Sequence, residues 1–530
     1  MLPALLLLQA VAPPRAVAAA PRDPPALVVL VVVDQMRPDY FTRFGAQFTG
    51  GFRRVLDNGI LFLDGRQDHA MTETAPGHST LLSGRYPSGT GIVSNDWGVN
   101  DALYPIVGGG SGTGASPLRF QGTTLYDWML ARDPATRVLA FSRKDRAAIL
   151  PVGRARRDVY WWTTGRWGTS KYYRDSLPAW LQAYNTRPGW RQFLGGSWTP
   201  LLPDSAYAEK DSVPWERGGV DVTFPHKIPS DSAILAFRII YFPWMDSLTL
   251  DAALEGTRQL GLGQRKGKTD LLVVSLSTTD RVGHDFSPDS KEMHDHLLRL
   301  DRWLGWFQDS LARTIPGGRV LYALSADHGS QDWTEATVQR GHPADRPSMQ
   351  PMTARLRDAM QARWGTAFNI FQEDGLLYGD TAAMHARGID IARLSDSLAR
   401  EARTLPGVFN VFTPRTLARA PKTDAQATLW RRGIPKTQGW FIAASVRDGY
   451  VWERTDHGST TLADQRVPIA FWGMWLGPAR PRRAASTTDI GPTLAALLGV
   501  RPTEPVDGKI LPEVVPAAAP RRPLPPGLHP

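Results

Sequence analysis

The chain has 530 residues, with 61 Lys and Arg against 51 Asp and Glu, a formal net charge of +10, and no cysteine. The missing thiols exclude disulfides, a lipid-modified cysteine, thiolate metal ligands and a cysteine nucleophile. The positive balance favours anionic ligands, but the basic residues are scattered rather than gathered in a block, so no nucleic-acid partner is expected.

The first residues, "MLPALLLLQAVAPPRAVAAAPRDPP", hold an apolar run too short to span a bilayer. Small residues follow, with an A-x-A form at Ala16-Val17-Ala18. The stretch resembles a secretory signal peptide over residues 1–20, although a positive n-region is missing. No later stretch reads as a transmembrane helix. The expectation is a periplasmic or secreted protein with no stable membrane insertion. Residues 21–515 form the expected catalytic body, and the Pro- and Ala-rich residues 516–530 a disordered tail.

"ALVVLVVVDQMRPDY" is a continuous β-branched run that stops at Asp34, as expected of a strand buried on both faces of a parallel sheet. "ILFLDG" (Ile60–Gly65) is a second strand. "TETAPGHSTLLSG" (Thr72–Gly84) then opens a helix, where Thr74, two residues before Pro76, is by default an N-cap. "VGGGSGTGAS" (Val107–Ser116) lacks the G-K-[ST] ending of a phosphate-binding loop and reads as a flexible connection. Residues from about 150 to 245 are rich in Trp, Tyr, Pro and Gly and read as an irregular inserted cap. "DLLVVSLSTTDRVGHD" is a third strand with Asp280 after it. Glu292 to Leu311 has apolar residues at helical spacing. "RVLYALSADHGS" is a strand ending at Asp327 and His328. Residues from about 335 to 450 read as a small α+β insertion with a helix through Ile391, Leu394, Leu398 and Ala402. "STTDIGPTLAALLGV" is a C-terminal helix. This alternation predicts an α/β fold with a central, mostly parallel sheet flanked by helices and interrupted by inserted cap segments.

Three strands thus run into acidic or His residues at their carboxyl ends, where open α/β sheets bind ligands. A single Asp after a strand is usually a turn residue, and a single His a packed one. The set is more telling: Asp34, Asp280 with His284, Asp327 with His328, and His457 in "TDHGS". These are oxygen and imidazole donors, suited to zinc and other transition metals. There are more of them than one ion needs, and two-metal sites serve phosphoryl transfer. A threonine hydroxyl is a poor nucleophile unless a metal lowers its pKa, and a helix N-terminus suits a phosphoryl group.

"VVVDQMRPDY", "TETAPGHSTLLSGRYP", "GIVSNDW", "STTDRVGHD", "SADHGS" and "TDHGS" together resemble the metal sites of the alkaline phosphatase superfamily, in that superfamily's order, from about Leu27 to Val500. The resemblance implies the alkaline-phosphatase-like fold and two zinc ions. Asp280, His284 and His457 would hold one, and Asp34, Asp327, His328 and Thr74 the other. It also implies that Thr74, rather than Thr72 or Ser79, is the nucleophile; it gives His78 no role, and His78 reads as a structural support. Lys144 and Arg146 in "FSRKDRAAIL", with Asn95 in "SNDW", resemble the phosphate contacts of the Thr-nucleophile, phosphate-irrepressible type of alkaline phosphatase. The expected activity is hydrolysis of small phosphate monoesters through a phosphothreonine, by a monomer. The alternative is a nucleotide pyrophosphatase/phosphodiesterase on the same metal core. An anion-binding or adhesive protein with structural metals would take up metal without turnover.

Overall fold

The computed structural model describes residues 24–110, 112–452 and 456–515. The leader and tail expected at 1–20 and 516–530 lie outside these residues.

A ten-stranded sheet runs through the body. Its middle is Leu27–Val33, flanked in parallel by Val320–Ser325 on one side and Asp270–Leu276 on the other. Val138–Ser142 and Asp158–Trp162 extend the parallel array beyond Asp270–Leu276. Arg466–Trp472 runs antiparallel beside Val320–Ser325 and leads to Ile60–Arg66 and the short edge strand Ala485–Ser486. The sheet is therefore mostly parallel, as the β-branched runs predict.

Side chains alternate across each strand. Leu27, Val29, Val31 and Val33 enter one apolar cluster, where Leu297, Leu300 and Leu304 of the helix Lys291–Thr314 and Met245 and Leu250 of Trp244–Leu260 cover them. Val28, Leu30 and Val32 enter the opposite cluster, with Leu81, Trp128 and Leu494 from helices on that face. Covering both faces explains why Leu27–Val33 shows no polar alternation. Each such side chain contributes about 1.5–3 kcal/mol by leaving water.

One difference from the sequence expectation concerns the first insertion. Asp158–Trp162 and Trp167–Ser170 belong to the central sheet, and Ile106–Val107 pairs with the second of them at the edge. The start of the stretch read as an irregular cap is thus sheet, its aromatic residues packing around Phe141. Within the second stretch, Phe371–Glu373, Leu376–Tyr378, Val408–Phe412 and Trp440–Val446 form a separate four-stranded antiparallel sheet with the helix Ile391–Ala402 against it. Leu376 and Tyr378 of that sheet pack with Met71 and Val93 of the body.

Among the described residues no single helix is long and apolar enough to cross a membrane. The helical stretches Ser232–Tyr241 and Trp244–Leu260 reach that length only jointly, across a 92° bend.

Candidate active site

The ends of the central strands bring the acidic and imidazole residues together. Asp34 directly follows Leu27–Val33, and its backbone N–H donates to the Leu276 carbonyl at 3.0 Å. Gln35 then takes a positive φ of 61°, a strained turn for a residue with a Cβ. Its N–H donates to Asp327 Oδ1 at 3.2 Å, which the His328 N–H also reaches at 3.1 Å. Asp280 and His284 lie one turn apart on Thr278–Phe286, so both project from one face.

Two groups result. Asp34, Asp327 and His328 form one, and Asp280, His284 and His457 the other. Within each, one ligand atom per residue lies within 4.8 Å of the others. The imidazoles are turned for metal binding. His328 Nδ1 is 3.0 Å from the Gly329 carbonyl, His457 Nδ1 is 2.9 Å from the Thr72 carbonyl, and His284 Nδ1 is 3.1 Å from Asp456 Oδ2. These contacts engage Nδ1 and leave each Nε2 facing the carboxylates. The buried atoms Asp34 Oδ1, Asp280 Oδ1, Asp327 Oδ2 and His328 Nε2 have no hydrogen-bond partner among the described residues. Such orphaned atoms are costly unless something else binds them, and a divalent cation in each group would satisfy them. The residues present therefore fit two such ions.

Charge supports the same conclusion. Burial, with Asp280 and Asp327 beside it, pushes Asp34 up to about 6. Burial acts upward on Asp280 too, but Lys144, His284 and His457 hold it well below the usual carboxylate range. His284 resists burial and rises to about 10 against Asp280 and Asp456. Burial and the neighbouring His328 and His284 keep His457 well below the usual imidazole range. Three carboxylates sharing one buried pocket favour added positive charge.

Thr74 begins the helix Thr74–Leu81, and Glu73, not Thr74, occupies the N-cap position. Its hydroxyl caps nothing. Instead Lys144 Nζ donates to Thr74 Oγ at 2.9 Å. The same ammonium lies 2.6 Å from Asp34 Oδ2 and 2.8 Å from Asp280 Oδ2, linking the two groups. Thr72 and Ser79 are engaged elsewhere: their hydroxyls donate to the carbonyls of Ser459 and Pro76. His78 braces the site, with Nδ1 2.8 Å from the Thr74 carbonyl and Nε2 2.8 Å from Ser275 Oγ.

A cavity of about 730 Å³ opens over this floor. Thr74, Asn95, Lys144, Arg146, Asp280, His284 and His457 all line it. Asn95 Oδ1 accepts the Ala75 N–H at 2.9 Å, which leaves the amide nitrogen as its free donor. Asp34, Asp327 and His328 lie beneath, fully buried. All ten residues singled out from sequence thus meet in one place.

Several contributors were not singled out. Gly112, Thr113 and Gly114 of the glycine-rich stretch, read from sequence as a flexible connection, line the cavity. Arg143 lines it as well. Asp456 orients His284, and the repeated D-H-G-S of "ADHGS" and "TDHGS" was the available signal. Glu73 and Glu373 accept the Asn95 backbone N–H, each at 3.1 Å.

The sequence profile of the family described as type I phosphodiesterase / nucleotide pyrophosphatase matches residues 28–367. Alkaline phosphatase PafA of Elizabethkingia meningoseptica is 30% identical over 544 residues, covering 94% of this chain and 95% of its own. Alkaline phosphatase PhoK of Sphingomonas sp is 31% identical over 528 residues, covering 92% and 91%. The crystal structure of wild-type PafA matches with a TM-score of 0.83 at 28% identity, covering 93% of this chain and 99% of that one. Murine ectonucleotide pyrophosphatase / phosphodiesterase 5 matches in fold, with a TM-score of 0.50 at 15% identity, covering 91% of this chain and 97% of that one.

Proposed function

The chain belongs to the type I phosphodiesterase / nucleotide pyrophosphatase family, and from that premise we propose that it is an alkaline phosphatase which hydrolyses phosphate monoesters through Thr74. The observation that carries this is the Thr74 hydroxyl: buried at a helix start, capping nothing, and 2.9 Å from a lysine that spans two cation-ready groups.

Asp280, His284 and His457 would hold one zinc ion, and Asp34, Asp327, His328 and Thr74 Oγ a second. When bound, the ions supply Lewis-acid stabilisation of charge on the attacking and departing oxygens. Thr74 Oγ attacks phosphorus in line with the ester oxygen. The Thr74 hydroxyl gives up its proton to solvent, the Thr–O–P bond forms as the P–O bond to the alcohol breaks, and the alcohol leaves with a proton from solvent. Water then cleaves the phosphothreonine, which restores Thr74 and releases inorganic phosphate. Lys144, beside Thr74 Oγ, Arg146 on the cavity wall and the Asn95 amide bind the non-bridging oxygens as charge redistributes over them.

The family's description names a diesterase, and the cations argue for the monoester. A monoester carries one more charged oxygen than a diester. Two cations and an amide suit that dianion, whereas a diesterase needs an apolar slot for its second substituent. The curated relatives PafA and PhoK are alkaline phosphatases. One solved form of PafA is substituted at a threonine, an asparagine, a lysine and an arginine, with the sequence separations of Thr74 to Asn95 and of Lys144 to Arg146. The leader-like start supports export, so the proposed enzyme is a periplasmic or secreted monomer acting on small molecules.

The test is turnover of p-nitrophenyl phosphate against bis(p-nitrophenyl) phosphate on zinc-loaded protein, with a chelated control. Monoester turnover far ahead and lost on chelation is expected. Faster diester turnover would move the enzyme to the phosphodiesterase branch.

A further inference from the structure

The cavity holds one more cation than this chemistry uses. Lys144 and Arg146 serve the phosphoryl group. Arg281 is paired with Asp285 and lies over the Tyr241 ring, 4.3 Å from its centroid. Arg143 also lines the cavity, but it is poorly satisfied. Among the described residues it forms no ion pair, and its hydrogen bond is a long one, from Nη2 to the Ser277 carbonyl at 3.4 Å. Its buried Nε has no partner. A guanidinium stays charged at any working pH, and the carboxylates of Asp280, Asp34 and Asp246 act on this one only from beyond ion-pair contact; a largely buried charge with no partner in contact is costly. In a substrate cavity, the missing partner is most simply an anion that arrives with the substrate.

The position of Arg143 says which part of the substrate. Ser277 immediately precedes Thr278–Phe286, the helix that carries Asp280 and His284. Of the carboxylates around Arg143, Asp280 acts on it most strongly. In the proposed function Thr74 Oγ joins the group of Asp34, Asp327 and His328, which leaves the group of Asp280, His284 and His457 to serve the departing oxygen, so Arg143 stands on the leaving-group side. Trp162 and Ile240 supply apolar wall to the same cavity, and the buried Trp162 Nε1 is an unused donor. A leaving group with an apolar body and an anionic end matches that surface.

We propose that Arg143 is a specificity-determining residue that binds a second anionic group on the leaving group, so that the favoured substrates are phosphate monoesters whose alcohol is itself an anion. This rests on the phosphomonoesterase function above.

The test compares kcat/KM for 3-carboxyphenyl phosphate, phenyl phosphate and 3-(trimethylammonio)phenyl phosphate on the zinc-loaded enzyme. The anionic substrate should lead phenyl phosphate by about tenfold, the scale of one charge-assisted hydrogen bond, and the cationic one should trail. Arg143→Gln should bring the carboxyphenyl-to-phenyl ratio close to one, and Arg143→Lys should retain part of it. A wild-type ratio of one or less overturns the proposal. So does an Arg143→Gln enzyme whose rates for all three substrates fall by one common factor. Absence of any phenyl phosphate turnover by the wild type overturns the phosphomonoesterase function, and the proposal with it.

Discussion

The Glu373 carboxylate accepts the backbone N–H of Asn95 at 3.1 Å with one oxygen and that of Asp96 at 3.2 Å with the other. A residue of the inserted sheet thereby fixes the loop whose side chain lines the cavity. Ser94 Oγ, 3.0 Å from Tyr378 OH, ties the loop to the same sheet. With its backbone clamped and Oδ1 on the Ala75 N–H, the Asn95 amide has one orientation. Glu373→Ala should lower kcat/KM for a monoester about tenfold, with Glu373→Gln between it and wild type. In an Asn95→Ala background the same change should cost almost nothing, because it acts through Asn95. Fully additive losses would show that Glu373 matters for general stability instead.

Gly77 is where the nucleophile's helix meets the loop carrying the metal ligands. A Cβ on Gly77 would collide with the Asp327 backbone carbonyl. Gly77→Ala therefore has to push Thr74–Leu81 away from Asp327. A loss of about 1–3 kcal/mol is expected for such overpacking. The zinc-induced rise in Tm should shrink along with the stability. An unchanged zinc-induced rise would mean that the contact relaxes without disturbing the site.

Lys144 and Arg146 should separate two chemistries. Replacing both with Ala is expected to reduce monoester kcat/KM by about 100-fold or more. Diester turnover should fall far less, since a diester lacks the charged oxygen they bind. Parallel losses for both esters would assign the pair to organising the metal site, a role that the Lys144 contacts with Asp34 and Asp280 make a concrete alternative.

Acid should destabilise the fold through two buried histidines. Burial pushes His69 down to about 4 and His296 down to about 3. Both are neutral in the native state where the unfolded chain, titrating near 6.5, already binds a proton. The unfolded state then binds more protons, so stability falls as pH drops below about 6.5, and levels off only below the native values. Each contributes roughly 2 kcal/mol of loss by pH 5. Urea midpoints at pH 7 and pH 5 should therefore lie closer together in His296→Gln than in wild type. An equal gap in both proteins would exclude this origin.

Much of this site could be read from the chain because its parts are local. Leu27–Val33 declares itself as a buried strand by seven consecutive apolar residues, and Asp34 follows at once. Asp280 and His284 share a helix face by spacing alone. Contacts across the chain were not legible in this way. Glu373 and Asn95 are brought together by the docking of an inserted sheet, and neither residue's neighbours announce it. Arg143 was hidden inside a run of charges, where only the fold shows which side chain lacks a partner. The edge strands at 158–170 were masked by composition: their Trp, Thr and Gly residues suit a sheet margin but resemble a loop.

The most direct measurement is monoester turnover by Thr74→Ala with its zinc content determined on the same sample. Nucleophilic catalysis by Thr74 predicts a loss of about a thousandfold or more with the metal retained. Turnover equal to wild type at full zinc content would contradict it, and would leave the 2.9 Å contact between Lys144 and Thr74 without a catalytic meaning.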